Sequence, residues 1–313
     1  MHVKPRLPGP RIGRRCCAQP AAFRVIARRV PMVIVLVFAL ATTVLAAAWP
    51  AGAAPKPTDA AGPPGGPIAF EARLGVFYAG FLVYSGSLVG RIAEGRYTIA
   101  YQARSRGLLR LVASMETRNE VFGVLRDGRF RAVAYRDRIR WREKRTAVQV
   151  AFGPGGAERT TSVPPFAARN RRPIPISASR GATDPLTTLL AGMAGAGGAA
   201  PCNWTHRVYD GRRLVRVDTV NLGHERLLGD GLTMYRGPAI KCRVRFTTLA
   251  DTRRRSAKRK KTKADAERDQ AVFWMARFKR PDIWLPVRAR GWSRVGAVHA
   301  GLTYFKIGGA AKK

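Results

Sequence analysis

Cys202 and Cys242 are the residues whose type and number most directly predict a covalent bond in this chain. The other two cysteines, Cys16 and Cys17, precede an apolar N-terminal segment and would be removed with it. An even pair of cysteines in an oxidising compartment predicts one disulfide. Two separately buried thiols are the alternative. A metal site is disfavoured because neither residue stands in a C-x-x-C pair.

The densest charge is a run of eight Lys and Arg within residues 253–263. Such a run can bind a polyanion through counterion release or attract an anionic membrane surface. A solvated hairpin loop is the alternative, and no aromatic side chains are interleaved to stack on bases. The predicted polyanion-binding residues are Arg253, Arg254, Arg255, Lys258, Arg259, Lys260, Lys261 and Lys263.

Residue patterns typical of catalysis are weak in this sequence. Its downstream histidines, His206, His224 and His299, are scattered and stand in no recognised spacing. Residues 195–200 match G-x-G-x-x-A, but a predicted helix precedes them where a dinucleotide loop needs a strand. The sequence therefore predicts a protein that is not an enzyme and holds no cofactor and no metal.

The N-terminal segment decides the compartment. Residues 30–48 carry no charge, eight Lys or Arg precede them, and alanine-rich residues follow. This order is typical of a secretory signal cleaved near residue 53. An uncleaved membrane anchor is the alternative, because 19 uncharged residues can also span a bilayer. Either reading predicts an exported, periplasmic protein.

The net charge is +38 over 313 residues, from 57 Lys and Arg against 19 Asp and Glu. Without the eight N-terminal cations the balance is 49 against 19, or about +30. A charge of this size favours a polyanionic partner, which outside the inner membrane means anionic lipid or acidic wall polymer. A plain solvated basic surface is the alternative.

Strands dominate the pattern after residue 68. Apolar residues alternate with polar ones around residues 97–103, 148–152, 240–246 and 298–304. Turn pairs such as Asp127-Gly128 separate these runs and predict hairpins. We therefore predict a mainly β fold, a curved antiparallel sheet or half-barrel built as a meander, with one or two covering helices. A phase slip in residues 129–142 predicts a bulge or a corner in the curved sheet.

One helix and three irregular segments complete the prediction. Residues 184–193 predict a helix, capped by Thr183 or Asp184, that would plug or cover the sheet. The predicted divisions are a signal segment at 1–53, a disordered linker at 54–68 and a β domain at 69–308. Loop insertions are predicted at 155–180 and 253–268.

The order of short motifs resembles the DUF3108 family of exported bacterial proteins. The motifs are the Asp184-Pro185-Leu186 helix start, the turn at residues 208–212 and the Leu285-Pro286-Val287-Arg288 strand. The resemblance covers residues 69–307, and the cysteine pair is similar to one in some members. It implies an envelope protein of uncharacterised function, with no catalytic residues to carry over. It also implies a half-barrel like that of the lipoprotein carriers LolA and LolB.

We therefore expect a non-enzymatic envelope protein whose concave sheet face binds an apolar or amphipathic component. The alternative is a basic module that binds an anionic polymer or, less favoured, nucleic acid. Expected partners are lipid, lipoprotein or anionic envelope polymer, with membrane association through the N-terminal segment. The aromatic residues expected to line the binding face are Tyr78, Tyr97, Tyr101, Phe246, Trp274 and Trp284.

Overall fold

The structure is a computed structural model that describes residues 68–194, 201–253, 269–279, 282–293 and 296–309. Within these ranges the chain forms fourteen strands, two α-helices and two short 3₁₀ turns, at 167–169 and 176–179. The regular elements are β1 Ile68–Tyr78, β2 Phe81–Ala93, β3 Arg96–Ser105, α1 Gly107–Val112, β4 Met115–Arg126, β5 Arg129–Trp141, β6 Lys144–Gly153, β7 Gly156–Val163, β8 Ala182–Thr183, α2 Pro185–Ala194, β9 Thr205–Tyr209, β10 Arg213–Leu227, β11 Gly237–Asp251, β12 Gln270–Lys279, β13 Asp282–Ser293 and β14 Gly296–Gly309.

All fourteen strands belong to one sheet, in the order β7-β6-β5-β4-β3-β2-β1-β14-β13-β12-β11-β10-β9-β8. Every pairing is antiparallel except that of β8 with β9. The chain thus builds two meanders that join where β1 pairs with β14. The predicted mainly β, curved antiparallel fold is confirmed.

Tight turns set the register of the hairpins. Glu94 and Gly95 have φ of 52° and 68°, and Asp127 and Gly128 have the same two values. Positive φ at both central residues is the geometry that matches the right-handed twist of paired strands, and glycine adopts it at low cost. The predicted bulge is also present: Ala132 and Ala134 lie opposite consecutive residues of β4, which leaves Val133 as the extra residue.

The two ends of the sheet meet, so it curls into a nearly closed barrel. Gly181 donates its backbone N–H to the Gly155 carbonyl at 2.9 Å. The hydroxyls of Thr160 on β7 and Tyr209 on β9 lie 3.1 Å apart. A buried ion pair joins Arg212, just before β10, to Asp137 on β5. Because these contacts connect strands from opposite ends of the sheet order, they form the seam of the barrel.

Helix α2 fills the inside of the barrel. Eight of its ten residues are buried, including Leu186, Leu189 and Leu190. It packs against β4 and β5 from one meander and β9 and β13 from the other. A helix that touches strands so far apart in the sheet must lie within its curve. Burial of each leucine contributes roughly 1.5–3 kcal/mol.

The start of α2 agrees with the predicted cap. Asp184 Oδ1 accepts the backbone N–H groups of Leu186 and Thr187 at 2.9 and 3.0 Å. These bonds satisfy two of the amide groups that a helix start leaves without a partner.

Three sequence predictions need comment. The prediction of a loop at 155–180 is wrong over its first third. These residues form the edge strand β7, in which buried and exposed residues alternate only in part. β1 begins at Ile68, the last residue of the predicted linker. The signal segment, the rest of the linker and residues 254–268 lie outside the described residues, and so does the G-x-G-x-x-A match at 195–200.

Candidate functional site

The barrel interior offers little room for a ligand. The inward residues of the strands pack on α2, and Tyr97 and Thr187 join the sheet to the helix through hydroxyls 2.6 Å apart. A cavity of about 20 Å³ lies between α2 and the sheet. One water molecule needs at least about 10–15 Å³. An acyl chain therefore does not fit in this cavity.

A polar network crosses the interior on the seam side. Asn119 donates its amide to the Tyr135 hydroxyl at 2.9 Å. Burial lowers the pKa of Arg212, which is paired with Asp137, to about 10. Burial raises the pKa of Asp184 to about 6, although its hydrogen bonds oppose the shift. These groups are buried: the Arg212–Asp137 pair bridges the seam, Asn119 and Tyr135 join β4 to β5, and Asp184 caps α2, so we assign them to stability.

Strand directions place several connections at one end of the barrel, which we call the α1 rim. This end holds the β1–β2 turn, α1 and the β5–β6 turn. The β10–β11 connection, residues 228–236, extends from the opposite end. β11 also ends at the α1 rim, and β12 begins there. The two ends of the barrel therefore carry different connections.

The α1 rim exposes a cluster of large apolar side chains. Leu108 and Leu111 of α1 are each 81% exposed, and Phe81 at the start of β2 is 76% exposed. No residue of this six-residue helix is buried. Its position beside β2 is fixed by the Arg106 backbone N–H, which donates to the Val83 carbonyl at 2.8 Å. The leucines, Phe81, Leu82 and Val112 are therefore all exposed at the same rim, and we call this group the apolar tip.

Arginines surround this apolar tip. Arg106 donates Nε to the Ser85 hydroxyl at 2.6 Å. Arg142, in the β5–β6 turn, donates Nη2 to the Val112 carbonyl at the end of α1, also at 2.6 Å. Arg110 lies in the last turn of α1 and is exposed. Apolar side chains flanked by cations are the arrangement found in segments that lie at an anionic membrane interface.

A second cationic cluster lies where the basic run begins. Arg171 forms an isolated β-bridge with Arg253, and the Arg172 N–H donates to the Thr252 carbonyl at 2.9 Å. Burial, then the charges of Arg169 and Arg253, lowers the pKa of Arg171 to about 10. Asp251 is the carboxylate near this cluster, and its Oδ2 lies 3.1 Å from Nε of Arg213.

Comparison with known proteins identifies the family to which the chain belongs. The profile described as "Protein of unknown function (DUF3108)" matches residues 73–303. The chain belongs to this family. No curated protein matches the sequence. A crystal structure of a β-barrel-like protein of the domain of unknown function DUF1849 from Brucella abortus is similar over 78% of this chain and 98% of its own, with 12% identity and a TM-score of 0.44.

The predicted aromatic residues do not form one surface in this DUF3108 domain. Tyr97, Tyr101 and Phe246 are buried in the interior core. Trp274 is also buried and belongs to the same core cluster, with Lys241 Nζ 5.4 Å and Arg288 Cζ 5.1 Å from its ring centre. The other two are partly buried: Tyr78 ends β1 at the α1 rim, and Trp284 packs beside the cysteines. Their role in ligand binding stays a prediction.

The predicted disulfide between Cys202 and Cys242 is present, with the two Cα atoms 6.0 Å apart. Both residues are 3% exposed and pack against Ile240 and Met275. The bond ties the segment between α2 and β9 to β11, in the second meander.

The predicted polyanion-binding residues fall almost entirely outside the described residues. Arg253 is described and donates its backbone N–H to Asp251 Oδ1 at 2.8 Å. The other seven, from Arg254 to Lys263, are not described. The arginine-rich outer faces of β5, around Arg138, and of β11, around Arg243, do not form one continuous face, because seven strands separate β5 from β11 in the sheet order.

Sequence reasoning missed the apolar tip. Its signal is the run Gly107-Leu108-Leu109-Arg110-Leu111-Val112, which has the composition of a buried segment. Only Leu109 turns partly inward, against the core. Within the described residues, neither helix is long and apolar enough to cross a membrane. The same residues hold no group of three or more His, Cys, Asp or Glu placed to bind a metal ion.

Proposed function

We propose that this DUF3108 protein is an exported, non-enzymatic envelope protein that docks by its α1 rim onto an anionic lipid surface. The observation that carries the proposal is the exposure of Leu108, Leu111 and Phe81 beside Arg106, Arg110 and Arg142. Export is supported by the signal-like N-terminal sequence. The proposed ligand is still the amphipathic envelope component expected from the sequence. The proposed binding surface, however, is the α1 rim rather than the concave face of the sheet.

The physical case rests on two terms of the binding free energy. Full burial of a leucine or phenylalanine side chain contributes roughly 1.5–3 kcal/mol. Each Arg close to an anionic leaflet contributes about 1 kcal/mol. Three apolar side chains and three arginines at one rim can therefore offset the loss of translational and rotational freedom on binding.

The filled interior supports docking over carrying. A carrier would need a cavity for an acyl chain, whereas the interior cavity measures about 20 Å³. Opening one would require α2 to leave, with the loss of four buried apolar side chains, Leu186, Leu189, Leu190 and Met193. At roughly 1.5–3 kcal/mol each, this cost is comparable to the entire stability of a typical domain.

Vesicle flotation tests the proposal. The chain from residue 54 onward is mixed with vesicles of phosphatidylglycerol and phosphatidylethanolamine, and separately with phosphatidylcholine vesicles. We expect it to float with the anionic vesicles, and more weakly as salt rises. Equal recovery with both lipids, or none with either, would contradict docking. Fractionation of cells that express the full chain, with N-terminal sequencing of the product, tests export separately.

A second candidate function is the binding of an acidic polymer at the cluster of Arg169, Arg171 and Arg253. The observation that favours it is the mutual proximity of these cations: the charge of Arg253 contributes to lowering the pKa of both Arg169 and Arg171, after burial. An anion placed among them would relieve this repulsion. Arg253 is also the first residue of the basic run.

The double substitution Arg169→Gln with Arg171→Gln tests this candidate. Binding to a soluble polyanion such as heparin is measured at several salt concentrations. We expect the slope of log affinity against log salt to shrink by about 2, because each phosphate-like contact contributes roughly 0.9. An unchanged slope would show that this cluster is not the binding site for the polymer.

A further inference from the structure

The outer face of β5, β6 and β7 contains a groove of about 140 Å³, away from the tip of α1. Two rows of residues that lie directly opposite one another across the three strands build it. The first row is Arg136, Gln149 and Thr161, and the second is Arg138, Ala147 and Val163. Directly opposed side chains in a sheet have Cβ atoms about 4.5–5.5 Å apart, so each row forms a continuous strip.

The depth of the groove comes from one small residue. Ala147 is half-buried between Arg138 and Val163, whose side chains extend beyond its methyl group. Arg136, Gln149 and Thr161 are exposed along the other side. The groove is therefore open to solvent and lined by groups that donate hydrogen bonds.

The positive charge of the groove exceeds the negative charge beside it within the described part of the chain. Glu120 lies directly opposite Arg136 on β4 but forms no ion pair with it, and it lies 3.5 Å from Arg138. That carboxylate is already engaged by Arg118 at 2.6 Å. Guanidinium groups cannot accept hydrogen bonds, so an anion is the complementary partner of both arginines.

We propose that this groove binds the phosphate group of an envelope component. Two guanidinium forks, an amide and a hydroxyl offer more donors than the two oxygens of a carboxylate can use, whereas a phosphate group presents three or four acceptor oxygens. The groove has roughly ten times the minimum volume for one water molecule, which accommodates a group of five non-hydrogen atoms. The ligand class is a phosphomonoester or a phosphodiester headgroup.

Three single variants test the site. Arg136→Gln removes one guanidinium. Ala147→Leu fills the groove without changing any charge. Arg243→Gln is the matched control, because Arg243 is an exposed outer-face arginine on β11 and also has no described carboxylate within ion-pair distance. Circular dichroism and thermal unfolding establish whether each variant is folded. If Ala147→Leu does not fold, Arg136→Gln alone still tests the site.

Binding of inorganic phosphate and glycerol 3-phosphate is measured by NMR titration at constant ionic strength. We expect the wild type to bind both, with a loss of at least about tenfold in Arg136→Gln and Ala147→Leu and none in Arg243→Gln. An absence of binding in the wild type would overturn the proposal. So would Arg136→Gln or a folded Ala147→Leu that binds like the wild type, or an equal loss in Arg243→Gln.

Vesicles of phosphatidylglycerol distinguish the two sources of the phosphate group. If Arg136→Gln weakens vesicle binding along with inorganic phosphate binding, the group belongs to a lipid headgroup. If it weakens only the soluble phosphates, the ligand is a soluble phosphate compound. The groove does not depend on docking by the α1 rim, since the variants of Leu108 and Leu111 described below leave all its residues unchanged.

Discussion

Replacement of the two exposed leucines of α1 tests the docking surface most directly. The double variant Leu108→Ser with Leu111→Ser replaces two side chains that are each 81% exposed. Substitutions at such positions usually alter stability by less than about 0.5 kcal/mol. The fold of the free protein should therefore be kept, and any change in vesicle binding would reflect the surface itself.

The size of the effect follows from the area that these leucines can still bury. Full burial of a leucine contributes roughly 1.5–3 kcal/mol, so two contribute about 4 kcal/mol when they enter the apolar part of the bilayer. That energy corresponds to about a thousandfold in the partition constant, and partial insertion lowers the ratio to about tenfold. We expect a loss within this range for vesicles of phosphatidylglycerol and phosphatidylethanolamine.

The matched control lies at the other end of the barrel. Leu228 is 77% exposed in the β10–β11 connection, so Leu228→Ser removes from the opposite rim about the apolar area that one of the two α1 leucines contributes. We expect this variant to bind vesicles like the wild type in the same flotation assay. If the α1 double variant binds as tightly as the wild type, or if Leu228→Ser loses as much, the assignment of the docking surface to the α1 rim is refuted.

Three further predictions concern the packed interior, each measured by urea unfolding. Tyr97→Phe removes the hydroxyl that contacts Thr187 and should lower the free energy of unfolding by about 1–3 kcal/mol, because it leaves a buried polar group without its partner; an unchanged midpoint would contradict this. Arg212→Met leaves the buried Asp137 without its cation across the seam and should cost about 3–5 kcal/mol; a loss below 1 kcal/mol would show that the seam does not depend on the pair. Burial raises the pKa of Asp184 from 3.8 to about 6. Between about pH 4 and pH 6 the folded chain therefore keeps a proton on this carboxyl that the unfolded chain releases. The free energy of unfolding falls as the pH rises through this range. Asp184→Asn keeps an oxygen to cap α2 and should be more stable than the wild type at pH 7 by up to about 3 kcal/mol, with no such gain at pH 3; equal stability of the two at pH 7 would contradict it.

The sequence by itself determined the local elements of this protein. Alternation of period two located strands, Asp127-Gly128 located a hairpin, and Asp184-Pro185 located the start of α2, because each depends on residues that are neighbours in the chain. The phase slip near Val133 located the bulge for the same reason. The pairing of Cys202 with Cys242 was predicted from the number of cysteines and the predicted compartment, and the motif order indicated the family.

Tertiary structure alone decided which surfaces are available for binding. Alternation shows that one face of a strand is buried, but the same pattern results whether that face lines a cavity or packs on a helix. The placement of α2 inside the closed barrel therefore buried Tyr97 and Tyr101, which the sequence could equally have placed in a pocket. In the same way, the run that contains Leu108 and Leu111 has the composition of a buried segment, and only the placement of α1 at the rim leaves these two side chains exposed. The groove beside Arg136 depends on the register of three strands, which cross-strand contacts set and no single segment specifies.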